Sequence, residues 1–504
     1  MALLTSIWSA MDIQTVLVFI SVFLFGLLLL RRPRNLPPGP LVLPFIGSIL
    51  FFHGIQRKRK RLARALNEQR EKYGDIIYAE IDGIPNVLIQ GYDVINEAFV
   101  KQGDVLSDRP SWLKQLKEVT KEGKGVIWQS GHDWRLTRRF TIQTLRDFGV
   151  GKTSLEEKIF CEIDAATEYI KATGAKPFNP RQLTSMMITN VIYGIVFGKR
   201  FDYNETEFHH IVETLDRMFI REGAGSPNGL LPDWLLKIVN KKAFDQRQLL
   251  LQSRRWVQKH IYQQISDHES SFDGQHVRDF VDLYLNAKTE EKSDSGVHTA
   301  GNMYRVIMDL FVAGSETTSN TVNWTLLYLQ EYPALQTKCR KEIQQVCGDR
   351  NVRWTDRGTL PYTEAFLLEV QRMANIAEFS LPHTNEVPVT LGGYTIPAHS
   401  LIRANLYSVN MDRKYWSDPQ KFNPDRFLKD GKIIGQTAFM PFSTGPRICA
   451  GESLAKMEMF MITTNLVQRF TFARGDPSTK HNFEPIFEQI TSAPESYMSR
   501  ATPI

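Results

Sequence analysis

The stretch AFMPFSTGPRICAGESLAKMEMFM, residues 438–461, sets Cys449 between a glycine and proline turn and a helical pattern that resumes at about Glu452. Gly445 and Gly451 permit tight turns and close approach of a flat partner, and Arg447 supplies a cation two residues away. The N–H groups of a helix start there would point toward the sulfur and favour its thiolate, the form that binds metals and acts as a nucleophile. A lone cysteine is more commonly a buried, inert side chain, and these local features alone leave the two readings evenly matched.

Such a cysteine needs a scaffold, and the rest of the chain describes one. Its 504 residues, 42% hydrophobic and 11% aromatic, suffice for a large core, and no Gly/Ser or Pro-rich linker divides the interior. Cys161, Cys339, Cys347 and Cys449 show no C-x-x-C spacing, which excludes a disulfide framework and a cysteine-rich zinc site and implies a reducing compartment. The net charge of +6 fits an anionic membrane surface or an acidic protein partner, and no nucleic-acid motif is present. Residues 13–30, IQTVLVFISVFLFGLLLL, carry no charge and run straight into Arg31, Arg32 and Arg34. That length just spans a hydrocarbon core of ~30 Å as a helix. The large terminal leucines and the following arginines predict a retained stop-transfer anchor rather than a cleaved signal, with the bulk of the protein in the cytosol. The expected organisation is a single-pass transmembrane anchor over residues 1–34, a stiff proline-rich hinge over 35–42 and one globular unit over 43–504.

Apolar residues recur at three- and four-residue spacing in SLEEKIFCEIDAATEYIKA, YRVIMDLFVAGSETTSNTVNWTLLYLQ and EAFLLEVQRM, predicting helices. IIYAEIDGIPNVLIQG and VTLGGYTIPAHSLIRANL read as strands with Gly and Pro at their turns, so the fold is mostly α with small β-sheets. The RKRKR run at 57–61 reads as a solvated face near lipid headgroups.

Phe442, Gly445, Arg447, Cys449 and Gly451 form F-x-x-G-x-R-x-C-x-G, which resembles the haem-binding loop of cytochromes P450. EVQR (Glu369 to Arg372) resembles the family's E-x-x-R helix, and FNPDRF (422–427) its P-E-R-F segment, with Asp425 in place of Glu. With LPPGP, DRP, GHDWRLTRRF, AGSETT and LPH, the resemblance covers almost the whole chain and is closest to animal microsomal members of family 2.

The resemblance implies the P450 fold, haem b with Cys449 as axial thiolate, and an ion-pair triad of Glu369, Arg372 and Arg426. It implies Trp134, Arg138, Arg447 and His383 as partners of the haem propionates, with Arg109 a weaker candidate. AGSETT (313–318) resembles the oxygen-activating kink of the family's long central helix. There Thr317 is four residues after Ala313 and is expected to take its carbonyl out of the helix ladder and open a groove for oxygen and water, Gly314 removes bulk, and Glu316 supplies a carboxylate for protons. The implied activity is insertion of one oxygen atom of O₂ into a lipophilic substrate. The chain has no dinucleotide fingerprint, so its electrons must come from another protein. The family's NADPH-cytochrome P450 reductase, with cytochrome b5 as a second donor, is the implied partner, with Arg135 and Arg139 as candidate contacts, and the endoplasmic reticulum membrane the implied location. Trp234 and its neighbouring leucines are expected to meet lipid, and steroid, fatty acid, terpenoid and foreign molecules all remain open as substrates. Glu378, where relatives of this type usually carry proline or an apolar residue, is expected to point to solvent; near the pocket it would select a hydroxylated or cationic substrate. A P450-type isomerase or dehydratase acting on a peroxide is the alternative, and a non-catalytic haem sensor a more distant one; the Glu316 and Thr317 pair argues against both.

Overall fold

The computed structural model describes residues 14–15, 17–18, 21, 35–44, 46–57, 61–113, 116–117, 120–149, 153–219, 232–290, 297–488 and 491–504. Of the expected membrane helix only Gln14, Thr15, Leu17, Val18 and Ser21 fall among them, all helical. The rest of that expectation, and Lys58 to Lys60 of the basic run, lie outside the described residues. Among the described residues no helix is long and apolar enough to cross a membrane.

Internal contacts gather the chain into two units, Met1–Ser107 with Pro382–Asn405, and Asp108–Leu381 with Leu406–Ile504. The smaller unit is built on a sheet of β1 (Ile76–Ile81), β2 (Ile84–Gln90) and, much later in sequence, β5 (Leu401–Asn405), with β3 (Val389–Leu391) and β4 (Tyr394–Ile396) as a separate hairpin. Asp82 and Gly83, at φ +53° and +72°, make the two-residue turn between β1 and β2, the conformation that Asp-Gly favours. β5 runs parallel to β2, from Asn86 opposite Leu401 to Gln90 opposite Asn405. Its far side carries an antiparallel bridge in which His383 and Ile402 exchange both backbone hydrogen bonds, at 2.8 and 2.9 Å.

The larger unit is mostly helical. The helices that concern the site are α1 (Gly131–Asp147), α2 (Pro180–Val196), α3 (Lys241–Ser271), α4 (Ala300–Glu331), α5 (Pro361–Ala374) and α6 (Glu452–Arg469). Thr299 caps α4, accepting from Asn302 N at 3.1 Å, and the helix stops before Pro333, which cannot continue the ladder. α4 is buried on nearly all sides because the other helices pack around it. Gly314 shows how closely: a Cβ there would lie 2.8 Å from Cδ1 of Ile192 on α2. The small residue at 314 therefore serves helix packing, a role its sequence context did not suggest. α5 begins at Pro361, its first amides bonded to the Glu342 carboxylate (Tyr362 N 2.7 Å, Thr363 N 2.8 Å), and ends at Asn375 in the left-handed region.

Candidate active site

The Cys449 loop is held by its own backbone. Cys449 N donates to the Phe442 carbonyl at 3.0 Å and Ile448 N to that of Gly445 at 3.0 Å, while Gly445, at φ +77°, turns the chain where a side chain would be strained. Helix α6 starts at Glu452, and the amides of Gly451 and Glu452 both bond the sulfur, as the helix start predicted. Even so, the thiol is pushed up from its ordinary value, because burial outweighs those two amides and Glu452 opposes them. Cys449 is nevertheless exposed, with protein crowded around its sulfur. Without a further positive charge it stays a thiol; a metal cation at the sulfur would supply what the protein does not.

The protein cation that acts on the sulfur is Arg138, not the expected Arg447. Arg138 lies on α1 and donates to the Ile448 carbonyl. Arg447 turns the other way, donating to the Gln129 carbonyl at 2.5 Å and lying 3.6 Å from the centre of the Trp134 ring. Arg109 is buried, its Nε donating to the Ile127 carbonyl at 3.0 Å and Nη1 to that of Leu381 at 3.3 Å. Burial and mutual repulsion lower Arg447 to about 8, despite Asp108, and Arg109 to about 9. Trp134 is buried, and its Nε1–H has no hydrogen-bond partner among the described residues. Three guanidiniums that repel one another and an orphaned N–H donor are a donor set for an anion of more than one charge. Haem, which brings a cation for the sulfur and two carboxylates, fits both halves of the site.

Of the carbonyls that orient Arg109 and Arg447, those of Ile127 and Gln129 belong to the segment before α1, and that segment is fastened to α4. Gly125 N donates to Asn302 Oδ1 at 3.0 Å and Ile127 N to Asp309 Oδ2 at 3.0 Å. Gly123 and Gly301 meet backbone to backbone: a Cβ on Gly301 would sit 2.0 Å from the Glu122 carbonyl oxygen. Sequence reasoning missed this clasp, whose only sign was two glycines 178 positions apart.

On α4, Leu310, Ala313, Gly314 and Thr317 form one accessible or half-accessible strip on an otherwise buried helix. Thr317 Oγ1 donates to the Ala313 carbonyl at 2.8 Å as expected, but the helix runs unbroken from Ala300 to Glu331, so the expected kink is not there: the hydroxyl shares the carbonyl without interrupting the helix. Glu316 is buried, accepting from Asn320 Nδ2 at 2.6 Å and paired with Arg181 on α2 at 3.8 Å.

The triad is assembled. Arg372 meets Glu369 at 2.7 and 2.8 Å, and Arg426 reaches Glu369 Oε1 at 3.0 Å. Asn423 N adds a further bond to that oxygen at 2.8 Å. Arg372 also donates to the carbonyls of Asn410 and Pro419, so the buried charges are hydrogen-bonded throughout.

His383 belongs to the smaller unit, unlike the other site candidates. Its ring stacks on Phe99 at 4.1 Å and its Nδ1 bonds the Leu106 carbonyl at 2.6 Å, which puts the proton on Nδ1. Glu378 corrects the sequence reading: it is 1% exposed and does not point to solvent. The reason is its place between α5 and the next backbone turn, where its carbonyl accepts from Leu406 N at 2.8 Å and Tyr407 N at 3.2 Å. Arg135 and Arg139 are exposed, and Trp234 is 67% exposed.

A mostly helical fold with an accessible cysteine at a helix start, a cation cluster beside it and a threonine-bearing strip on the central helix is that expected of a haem-thiolate protein. The family model for cytochrome P450 matches residues 37–499. Human cytochrome P450 2J2 is 35% identical over 510 residues, covering 100% of this chain and 98% of its own. Rat cytochrome P450 2J3 is 35% identical (94% and 93% covered), and rabbit cytochrome P450 2B4 34% identical (96% and 98%). The chain belongs to the cytochrome P450 family and is similar to its animal microsomal family 2 members. It is accordingly a P450 monooxygenase, an oxidoreductase that uses haem with a cysteine thiolate as axial ligand.

Proposed function

We propose that Cys449 is the axial thiolate, that Trp134, Arg138, Arg447, Arg109 and His383 hold the propionates, and that Thr317 and Glu316 manage the protons of O₂ cleavage. The substrate is lipophilic, and the electrons come from NADPH through cytochrome P450 reductase, with cytochrome b5 a second donor. The observation that carries this reading is the pairing of an accessible Cys449 with a cluster of mutually repelling guanidiniums and the orphaned Trp134 N–H.

When bound, haem supplies a thiolate-ligated iron at which O₂ is reduced and cleaved. The chain's part is positioning. The Gly451 and Glu452 amides hold the sulfur's lone pairs, and the guanidiniums and the indole N–H fix the carboxylates in orientation. The Thr317 hydroxyl gives its one proton to the Ala313 carbonyl and keeps both lone pairs, so it would accept a hydrogen bond from a water and hold that water where a proton can be relayed. Glu316, steadied by Asn320 and Arg181, is the carboxylate from which that proton is replaced.

The exposed Trp234, Ile238 and Val239 support contact with a lipid surface and entry of substrates from it. The protein is read as a single-pass endoplasmic reticulum protein with its catalytic part in the cytosol. Asn204 and Asn323 both stand in N-x-[ST] triplets, but Asn323 is buried, so exposed Asn204 alone reports on topology. A glycan on Asn204 in eukaryotic cells would reverse the assigned orientation.

The functional test compares turnover of lipophilic compounds with reductase and NADPH against turnover of a lipid hydroperoxide without them. Oxygenated product that requires NADPH supports monooxygenation; isomerised or dehydrated hydroperoxide without NADPH would replace it.

A further inference from the structure

The last turn of α3 carries His268, a buried side chain with both ring nitrogens against oxygen. Nδ1 lies 2.6 Å from the Gln264 carbonyl and Nε2 2.7 Å from Oδ2 of Asp279. A carbonyl and an ionised carboxylate only accept, so a neutral imidazole, with its single N–H, would turn a lone pair on one of them. Both bonds form only while His268 and Asp279 together hold one proton more than a neutral ring and a carboxylate.

Asp279 is fixed in place. Its Oδ1 accepts from Asp282 N at 3.1 Å and its carbonyl from Leu283 N at 3.2 Å, which starts the helix Phe280–Glu290. Gly198, at φ +65° just past α2, packs against it, and a Cβ there would lie 2.9 Å from Oδ2. Asp282, fully buried, is filled by Arg278, whose Nε and Nη2 donate at 2.6 and 2.8 Å while Nη1 reaches Ser271 Oγ at 2.9 Å. A histidine and two aspartates are metal-ligand types, but each of the three is already engaged, and what the cluster holds is a proton.

The charges facing His268 are Asp279, Asp282 and Arg278, with Lys199 past the end of α2 donating to the Gln264 side chain at 3.0 Å. The Phe197 ring, 6.3 Å away, adds no charge, and on the exposed side of the two helices Glu269 pairs with Lys288 at 3.7 Å. Burial alone would lower His268, but the bonds to Asp279 and the Gln264 carbonyl, with the Asp279 charge, outweigh it and Arg278 and raise the ring above its ordinary 6.5.

We propose that His268 and Asp279 form a proton-operated lock that pins the end of α3 to the start of the helix Phe280–Glu290, closed while the pair holds its proton and released when that proton leaves. α3 packs on α4, Tyr262 stacking on Tyr304 at 4.7 Å, and its other end follows directly on the short helix of Trp234, Ile238 and Val239. The lock therefore anchors the end of α3 remote from those exposed apolar residues. Because the folded value is the higher one, its stabilisation is complete below 6.5 and is lost as pH rises through the folded value.

Two mass-spectrometric measurements on the full-length holoprotein, taken from acid to alkaline pH, test this. Deuterium exchange at the C2 position of His268 reads the ring's ionisation, and backbone amide exchange, corrected for its intrinsic rate, reads the protection of residues 264–283. The ring should deprotonate above 6.5. At that same pH protection of 264–283 should fall by about tenfold or more, as for a charge-assisted bond lost from a buried site, while α5 stays protected. His268→Gln, neutral at every pH, should show the lowered protection throughout with no step, and Asp279→Asn should move the ring's deprotonation to lower pH. A ring that deprotonates at or below 6.5, protection that does not follow it, or a step that persists in His268→Gln overturns the proposal. Should either variant fail to fold, the two wild-type curves decide by whether they coincide.

Discussion

The guanidinium carbon of Arg447 lies 3.6 Å from the centre of the Trp134 ring, so the indole face carries the cation while its N–H is left for another acceptor. Trp134→Phe keeps the face and deletes the donor. A hydrogen bond to a charged group contributes about 1.5–3 kcal/mol, which predicts haem transfer to apomyoglobin faster by about tenfold or more. The same cluster sets a pH dependence. In the haem-free protein Arg447 and Arg109 lose their protons near 8 and 9, below an unfolded value near 12.5, and the attraction for a dianion goes with them. Haem binding should therefore take up protons and weaken as pH rises from 7 to 9; affinity that is flat or rising over that range contradicts the assignment.

Thr317→Ala removes the hydroxyl that donates to Ala313 but touches neither Cys449 nor the cation cluster. Haem content should be unchanged and NADPH consumption comparable, with more hydrogen peroxide and less oxygenated product. Positioned proton transfer is worth about 10²–10⁴-fold, so the loss of product should be large, with Thr317→Ser intermediate. Full coupling in Thr317→Ala on several unrelated substrates would make the residue a packing feature.

Glu369 holds two buried guanidiniums, so Glu369→Ala strands both. Breaking a buried pair from one side costs about 3–5 kcal/mol, against a total stability of about 5–15 kcal/mol. Little holoprotein should accumulate. The exposed pair Lys171 with Glu168 is the control, and Lys171→Ala should shift the melting temperature by no more than about 1 kcal/mol would.

Glu458 on α6 is fully buried, neither carboxyl oxygen has a hydrogen-bond partner among the described residues, and burial raises it well above the carboxylate range, with Thr318 opposing. The folded protein then holds a proton that the unfolded chain releases above its ordinary carboxylate pKa, so this group's contribution makes stability fall as pH rises from about 4.3 toward the folded value. Glu458→Gln, neutral at every pH, should remove that slope and melt higher than wild type at neutral pH. A steeper loss of stability in Glu458→Gln would mean the group is ionised and partnered.

What the sequence disclosed follows from what is local. The Cys449 loop, the helix start at Glu452, the Asp82-Gly83 turn and the i, i+3 pair Glu369 and Arg372 are set by neighbours in the chain, and they stand where they were expected. What it did not disclose depends on distant contacts. Arg447 is two residues from Cys449, but its carbonyl acceptor is Gln129, and the cation that acts on the sulfur is Arg138. Gly314 answers to Ile192, Gly301 to Glu122, and Glu378 to the backbone at Leu406.

The account turns on the sulfur of Cys449, and the absorption spectrum of the reduced protein under carbon monoxide tests it most directly. Wild type should show the strongly red-shifted band of thiolate-ligated haem. Cys449→Ser, matched for extracted haem, should lose that band while retaining the cofactor through Trp134 and the guanidiniums. A red-shifted band that persists in Cys449→Ser would assign the ligand to another residue and contradict the site described above.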